Sequence, residues 1–187
     1  MVSIHQTKSR QRKTVGTIAA NRPIVLVGMM GVGKTSIGKK LAERLKIAFV
    51  DVDDAIEQAA DMTITEIFEK FGEEYFRDGE RRVIMRLLDG RPKVIATGGG
   101  AFINDQTRAL IKQTAYSIWL NADLDILVER VSRRNHRPLL HGKNHRDVLL
   151  ELGKTRNPIY AQADFHARSD TSPHAQTVDY IMKAICK

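Results

Sequence analysis

The sequence predicts an α/β protein built on a parallel sheet, and three observations carry the prediction. Short apolar, β-branched runs alternate with stretches whose apolar residues recur at helical spacing. The first such run, Ile24-Val25-Leu26-Val27, is joined to a helical pattern by a glycine-rich loop, Gly28-Met29-Met30-Gly31-Val32-Gly33-Lys34-Thr35. The chain has 187 residues with 42% apolar content, enough for one well-buried domain and too few for two.

Pro23 opens the first strand, over about 23–27. Ile37, Leu41 and Leu45 then fall on one face of the helix after the glycine loop. A second strand is predicted at 48–51, and Asp53 to Glu57 starts a helix. Thr63 with Glu66 three residues on is a capping box, so another helix begins there. Gly72 breaks it, and a longer helix runs from about 73 to 88. Val94 to Thr97 reads as the third strand, ending in Gly98-Gly99-Gly100. A helix over about 104–113 leads to a strand at 117–120, and Leu124, Leu127, Val128 and Val131 mark the next helix face. Residues 135–146 are polar, basic and aperiodic, which predicts a mobile loop. A helix at about 147–157, a strand near 165–167 and a helix bearing Val178, Ile181, Met182 and Ile185 complete the pattern.

The formal net charge of +8 raises the question of nucleic-acid binding, so its location matters. Of the 30 lysines and arginines, five lie in residues 1–22, which hold no aspartate or glutamate; residues 23–187 therefore carry 25 basic and 22 acidic side chains. Most of the excess sits in this N-terminal stretch, read as a solvated, disordered extension lacking the apolar core of a secretory signal. No run approaches the length of a membrane span. Cys186 is the only cysteine, so no disulfide forms within the chain, in keeping with a reducing cytoplasm.

The loop Gly28–Thr35 fits G-x-x-x-x-G-K-[ST], the phosphate-binding P-loop. Its glycines let backbone N–H groups turn inward around an anion, and the following helix adds its unpaired N–H groups and positive dipole end. Lys34 then reaches the β- and γ-phosphates, and the Thr35 hydroxyl is placed to ligate Mg²⁺. Three further constellations bear on what accepts the phosphate. Asp51 and Asp53 are alternate residues leaving a strand, so both carboxylates face one crevice; one suits Mg²⁺, the other an acceptor hydroxyl. Gly98, Gly99 and Gly100 leave backbone N–H groups open to a ligand at the end of the third strand. Arg77, Arg137 and Arg156 are forks for carboxylate or phosphate, and Glu80, three residues beyond Arg77, shares its helix face.

Together these stretches resemble the shikimate kinases. The resemblance spans about residues 23–185: the P-loop, Phe49-Val50-Asp51-Val52-Asp53, Ile67-Phe68 through Gly72-Glu73 to Phe76-Arg77 and Glu80, the triple glycine, Arg137-Pro138-Leu139-Leu140, and Arg156 near Tyr160. It implies ATP-dependent phosphorylation of the 3-hydroxyl of shikimate, a step towards aromatic amino acids. It also implies the nucleoside-monophosphate-kinase-like form of the P-loop NTPase fold, a five-stranded parallel sheet in order 2-3-1-4-5 flanked by helices. Carried onto these residues, Gly31, Val32, Gly33, Lys34, Thr35 and Ser36 would hold the phosphates, and Asp51 would support Mg²⁺ beside Thr35. Asp53 would contact the shikimate hydroxyls as base or positioner, and Arg77 and Arg156 would hold the carboxylate, with Glu80 orienting Arg77. Gly98, Gly99 and Gly100 would complete that pocket; Arg137 would come down with a lid over 135–146, and Arg130 would lie on adenine.

One feature departs from the general P-loop plan. Ile95-Ala96-Thr97-Gly98 offers no acidic residue where a Walker-B aspartate would sit, which argues against motor-type ATPases and GTPases. The competing acceptors are gluconate, also a hydroxylated carboxylate, and a nucleotide, for which no base-reading pocket is evident. A nucleic-acid module using residues 1–22 is the reading from a different class. The preferred expectation is a monomeric, cytoplasmic kinase domain over 23–187, acting on a small molecule with ATP and Mg²⁺, without membrane or nucleic-acid partners.

Overall fold

A computed structural model describes residues 21–133, 144–171 and 173–185. Five parallel strands form one sheet in the order β2-β3-β1-β4-β5: β1 Ile24–Val27, β2 Ala48–Asp51, β3 Lys93–Ala96, β4 Tyr116–Asn121 and β5 Phe165–Arg168. The helices are α1 Lys34–Leu45, α2 Val52–Ala60, α3 Ile64–Leu87, α4 Asp105–Thr114, α5 Leu124–Ser132, α6 His145–Tyr160 and α7 His174–Ile185, with a short 3₁₀ turn at Ala101–Ile103. The expected sheet order is the one observed.

The central position of β1 follows from its composition. All four of its side chains are fully buried, as an uninterrupted apolar run requires when helices cover both faces of a parallel sheet. It pairs with β3 through Ile24↔Val94 and with β4 through Ile24↔Tyr116, so the three strands start at nearly the same level. Edge strands β2 and β5 are only partly buried, and their sequences are correspondingly mixed. α1 packs on β3 and α7, α2 on α3, and α5 on α6.

Local chemistry explains most boundaries. Thr63 and Glu66 form the capping box at the start of α3, with Glu66 Oε2 2.8 Å from the Thr63 N–H. Gly72 takes φ 80° and ψ 177° inside α3, dividing it into two segments as expected. Two helices end on residues other than glycine in the left-handed region, Lys46 and Asp61. The predicted helix over 147–157 is longer than expected: Asn144 caps it from the Arg146 N–H at 2.9 Å, and it runs through Pro158 to Tyr160. The closing residues of the expected loop over 135–146 thus belong to α6 and its cap, while 135–143, with Arg137, lie outside the described residues. So do residues 1–20 and Cys186. Arg22, counted with the basic extension, stacks on the Tyr116 ring at 3.7 Å, so contact with the domain begins before Pro23.

Candidate active site

The carboxyl ends of β1, β2 and β3 bring the phosphate loop, the aspartate pair and the triple glycine to one edge of the sheet. The loop's backbone demands its glycines. Gly28 has φ 135°, and a Cβ there would stand 2.3 Å from the Leu120 carbonyl oxygen, so no other residue fits. Lys34 Nζ turns back to donate to the carbonyls of Gly28 at 2.8 Å and Met29 at 3.0 Å, closing the loop on itself. Thr35 Oγ1 donates to Asp51 Oδ2 at 2.7 Å. The other Asp51 oxygen accepts from the Asp53 N–H at 3.1 Å and caps α2. Asp51 is therefore both an N-cap and a partner of the P-loop hydroxyl, and the two readings do not compete.

A cavity of about 290 Å³ lies over the loop, walled by Lys34, Thr35, Asp53 and Gly98 and closed on the far side by Arg130 and His174. A second, of about 120 Å³, is walled by Asp53, Arg77, Glu80, Arg156 and the triple glycine, with Met30, Phe68 and Phe76 on its apolar side. Asp53 borders both. Met30, Gly98 and Gly99 border both as well.

The second cavity is lined by opposed charges. Arg77 Nη1 donates to Glu80 Oε2 at 2.9 Å, and its Nη2 reaches Glu73 Oε1 at 3.2 Å. Burial works against a charged Arg77, but Glu80 and Glu73 outweigh it and hold the guanidinium protonated. Glu80 is 3% exposed. Burial pushes its carboxyl above the ordinary range, with nearby Asp53 adding to that push and Arg77 and Arg156 opposing it. Its other oxygen, Oε1, is buried with no hydrogen-bond partner among the described residues. That oxygen comes within 2.6 Å of where a Cβ on Gly98 would stand, and Asp53 Oδ1 within 3.3 Å. Gly98 is thus small because two carboxylates need its space. Likewise Gly100 leaves room for the Arg77 guanidinium, whereas a Cβ on Gly99 would meet Arg156 at an ordinary contact distance of 3.5 Å. Tyr160, fully buried, donates its hydroxyl to the Gly99 carbonyl and fixes the turn.

The structure therefore brings together Lys34, Thr35, Ser36, Asp51, Asp53, Arg77, the three glycines, Arg130 and Arg156. Arg130 is held at the mouth by the Ser169 hydroxyl at 3.0 Å and by the carbonyls of Ser169 and Asp170. Sequence reasoning missed Arg133 and His174, which line the first cavity from α5 and α7. Neither lies in a motif; only their chain-distant packing shows them. It also missed Glu73 as a second partner of Arg77, although a carboxylate four residues before an arginine is a helix pairing signal. For a metal, the available donors are the Thr35 hydroxyl and the Asp51 carboxylate, hard oxygens suited to Mg²⁺. Among the described residues no group of three or more His, Cys, Asp or Glu could hold a metal ion.

Comparisons with known proteins agree with this geometry. The family described as "Shikimate kinase" matches residues 30–186. A shikimate kinase of Novosphingobium aromaticivorans is 55% identical over 168 residues, covering 88% of this chain and 87% of that protein. One of Caulobacter vibrioides is 52% identical over 164 residues, covering 88% and 82%. Among solved structures, the shikimate kinase of Acinetobacter baumannii in complex with shikimate superposes with a TM-score of 0.86 at 35% identity, covering 90% of this chain and 94% of that one. A gluconokinase of Sinorhizobium meliloti, 18% identical with a TM-score of 0.59 and coverage of 89% and 92%, shares the fold alone.

Proposed function

The chain belongs to the shikimate kinase family and carries out the ATP-dependent phosphorylation of shikimate, and we propose that the two cavities meeting at Asp53 are where it does so. One observation carries this reading. Two carboxylates, Asp53 and Glu80, and two guanidiniums, Arg77 and Arg156, converge on one small cavity beside the phosphate loop. Shikimate, with one carboxylate and three hydroxyls, is the complement of that inventory. Arg77 and Arg156 bind its carboxylate, with Glu80 holding Arg77 in place, while Asp53 accepts from its hydroxyls.

In this reading the ATP phosphates lie against Gly31, Val32, Gly33, Lys34, Thr35 and Ser36, with Arg130 beside the adenine. Lys34 exchanges its two carbonyl partners for phosphate oxygens. Asp53 orients the 3-hydroxyl and takes its proton as that oxygen attacks the γ-phosphorus. The bond from that phosphorus to the β–γ bridging oxygen breaks, and ADP leaves carrying the charge. Mg²⁺, when bound at Thr35 and Asp51, neutralises charge on the phosphate oxygens. Arg137, expected in a lid over 135–146 and outside the described residues, is assigned to the same charge. The proposal extends to a monomer in the cytoplasm, a kinase domain over 23–187 and an N-terminal extension that takes no part in the chemistry.

A coupled assay offering shikimate, gluconate and AMP separately tests the acceptor. Turnover with shikimate and only background with the others is expected. Gluconate turnover comparable to that of shikimate would show that Arg77 and Arg156 read a carboxylate without reading the ring beside it.

A further inference from the structure

His174 opens α7 directly after Pro173 and is half-buried. Its ring Nε2 lies 3.4 Å from the point where a Cβ on Gly33 would stand, against the last glycine of the phosphate loop. It walls the same cavity as Lys34, Thr35 and Ser36. Lys34 and Lys40 lie on α1, Arg130 on α5 and Arg133 just after it; Asp51 and Asp53 line the same cavity, and Asp170 precedes α7. We propose that His174 is a further nucleotide contact whose imidazole takes up a proton as the triphosphate fills this cavity, a proposal that rests on the ATP reading above.

The reason is electrostatic. An imidazole ring that is partly desolvated and set among cations is best left neutral, and burial, followed by Arg130 and Lys40, holds its pKa below the ordinary histidine value. A bound triphosphate reverses the sign of the local field. The imidazolium then becomes a donor to a phosphate oxygen, and its pKa rises. Between the free and bound values, nucleotide binding absorbs a proton, so affinity falls as pH rises through that window. The proton-linked contact comes from the first residue of α7, far in sequence from the loop it serves.

Calorimetry of ADP·Mg²⁺ and of a non-hydrolysable ATP analogue, each in two buffers of different ionisation heat near pH 7, counts the protons absorbed. The nucleotide's own titration is common to all variants, so the difference between wild type and His174→Gln isolates the histidine. Wild type should absorb several tenths of a proton more, on the order expected for one site crossing its pKa. The ATP KM of His174→Gln should rise about three- to tenfold, one charge-assisted bond at a half-exposed position, with kcat falling by less and the shikimate KM steady. In the wild-type protein, the His174 ring resonances should titrate at higher pH with nucleotide than without, a reading independent of any variant's folding. Equal proton uptake in wild type and variant, or an unmoved titration midpoint, overturns the proposal. A wild-type protein that binds no ATP overturns the underlying reading instead, so the two failures are distinguishable.

Discussion

Replacing Gly100 with alanine places a methyl group where Arg77 now stands. The new Cβ would lie 2.6 Å from Nη1, 2.8 Å from Cζ and 3.0 Å from Nη2 of that guanidinium, whereas ordinary contact begins at 3.4 Å. The backbone of Gly100, at φ −90° and ψ −19°, suits alanine, so the fold need not yield. The arginine must instead retreat by about 0.8 Å, which disturbs its 2.9 Å bond to Glu80 and misaims the fork. Losing one charge-assisted bond to the substrate carboxylate costs about 1.5–3 kcal/mol, or roughly 10- to 150-fold in kcat/KM for shikimate. The ATP KM should hardly move, because Gly100 does not border the nucleotide cavity. A coupled assay with each substrate varied, beside a thermal melt, makes the measurement. Gly79→Ala is the control: a Cβ there meets nothing within 4 Å, so it should stabilise α3 by up to about 1 kcal/mol without touching turnover. If Gly100→Ala keeps kcat/KM for shikimate within about twofold of wild type, the assignment of Arg77 as the carboxylate fork is refuted.

Lys34→Ala should keep the fold and lose nearly all transfer, since the charge on the phosphoryl oxygens loses its nearest cation; turnover above about a tenth of wild type would contradict this. Asp53→Asn should lower turnover far more than ATP affinity, and Asp51→Asn should raise the Mg²⁺ requirement. Rescue of the Asp53 variant by added Mg²⁺, with none for the Asp51 variant, would mean that the roles are exchanged. Tyr160→Phe removes the hydrogen bond to the Gly99 carbonyl and should cost about 1 kcal/mol of stability, read by denaturant midpoint, with a further loss in shikimate KM as the turn loosens. An unchanged midpoint and KM would show that packing alone fixes the turn.

Much of the site was legible because its chemistry is sequence-local. A P-loop needs contiguous residues, and Asp51 with Asp53, Arg77 with Glu80, and the triple glycine each occupy one strand end or helix turn. Family resemblance then supplied the sheet order, which periodicity alone does not fix. What escaped was set by tertiary packing. His174 meets Gly33 because α7 packs on α1, and Arg133 reaches the same cavity because α5 packs against Gly31 of the loop; no spacing rule links such distant positions. Helix ends escaped for another reason. α2 stops at Asp61 in left-handed geometry without glycine, and α6 runs on past Pro158, so the usual punctuation misleads at both, whereas α1 ends at Leu45 as its apolar spacing predicts.

The sheet order has a consequence for how such a protein can change. β1 and α1 carry the machinery for the phosphate donor, whereas the acceptor's surroundings come from α3, the loop after β3, and α6. Few residues, chiefly Asp53, Met30 and the first two of the three glycines, belong to both territories. Substitutions on α3 or α6 can therefore retune what is phosphorylated without renegotiating how the phosphoryl group is held. The scaffold works as a socket with an exchangeable half, and the hinge of that exchange is a single aspartate in the first turn of α2.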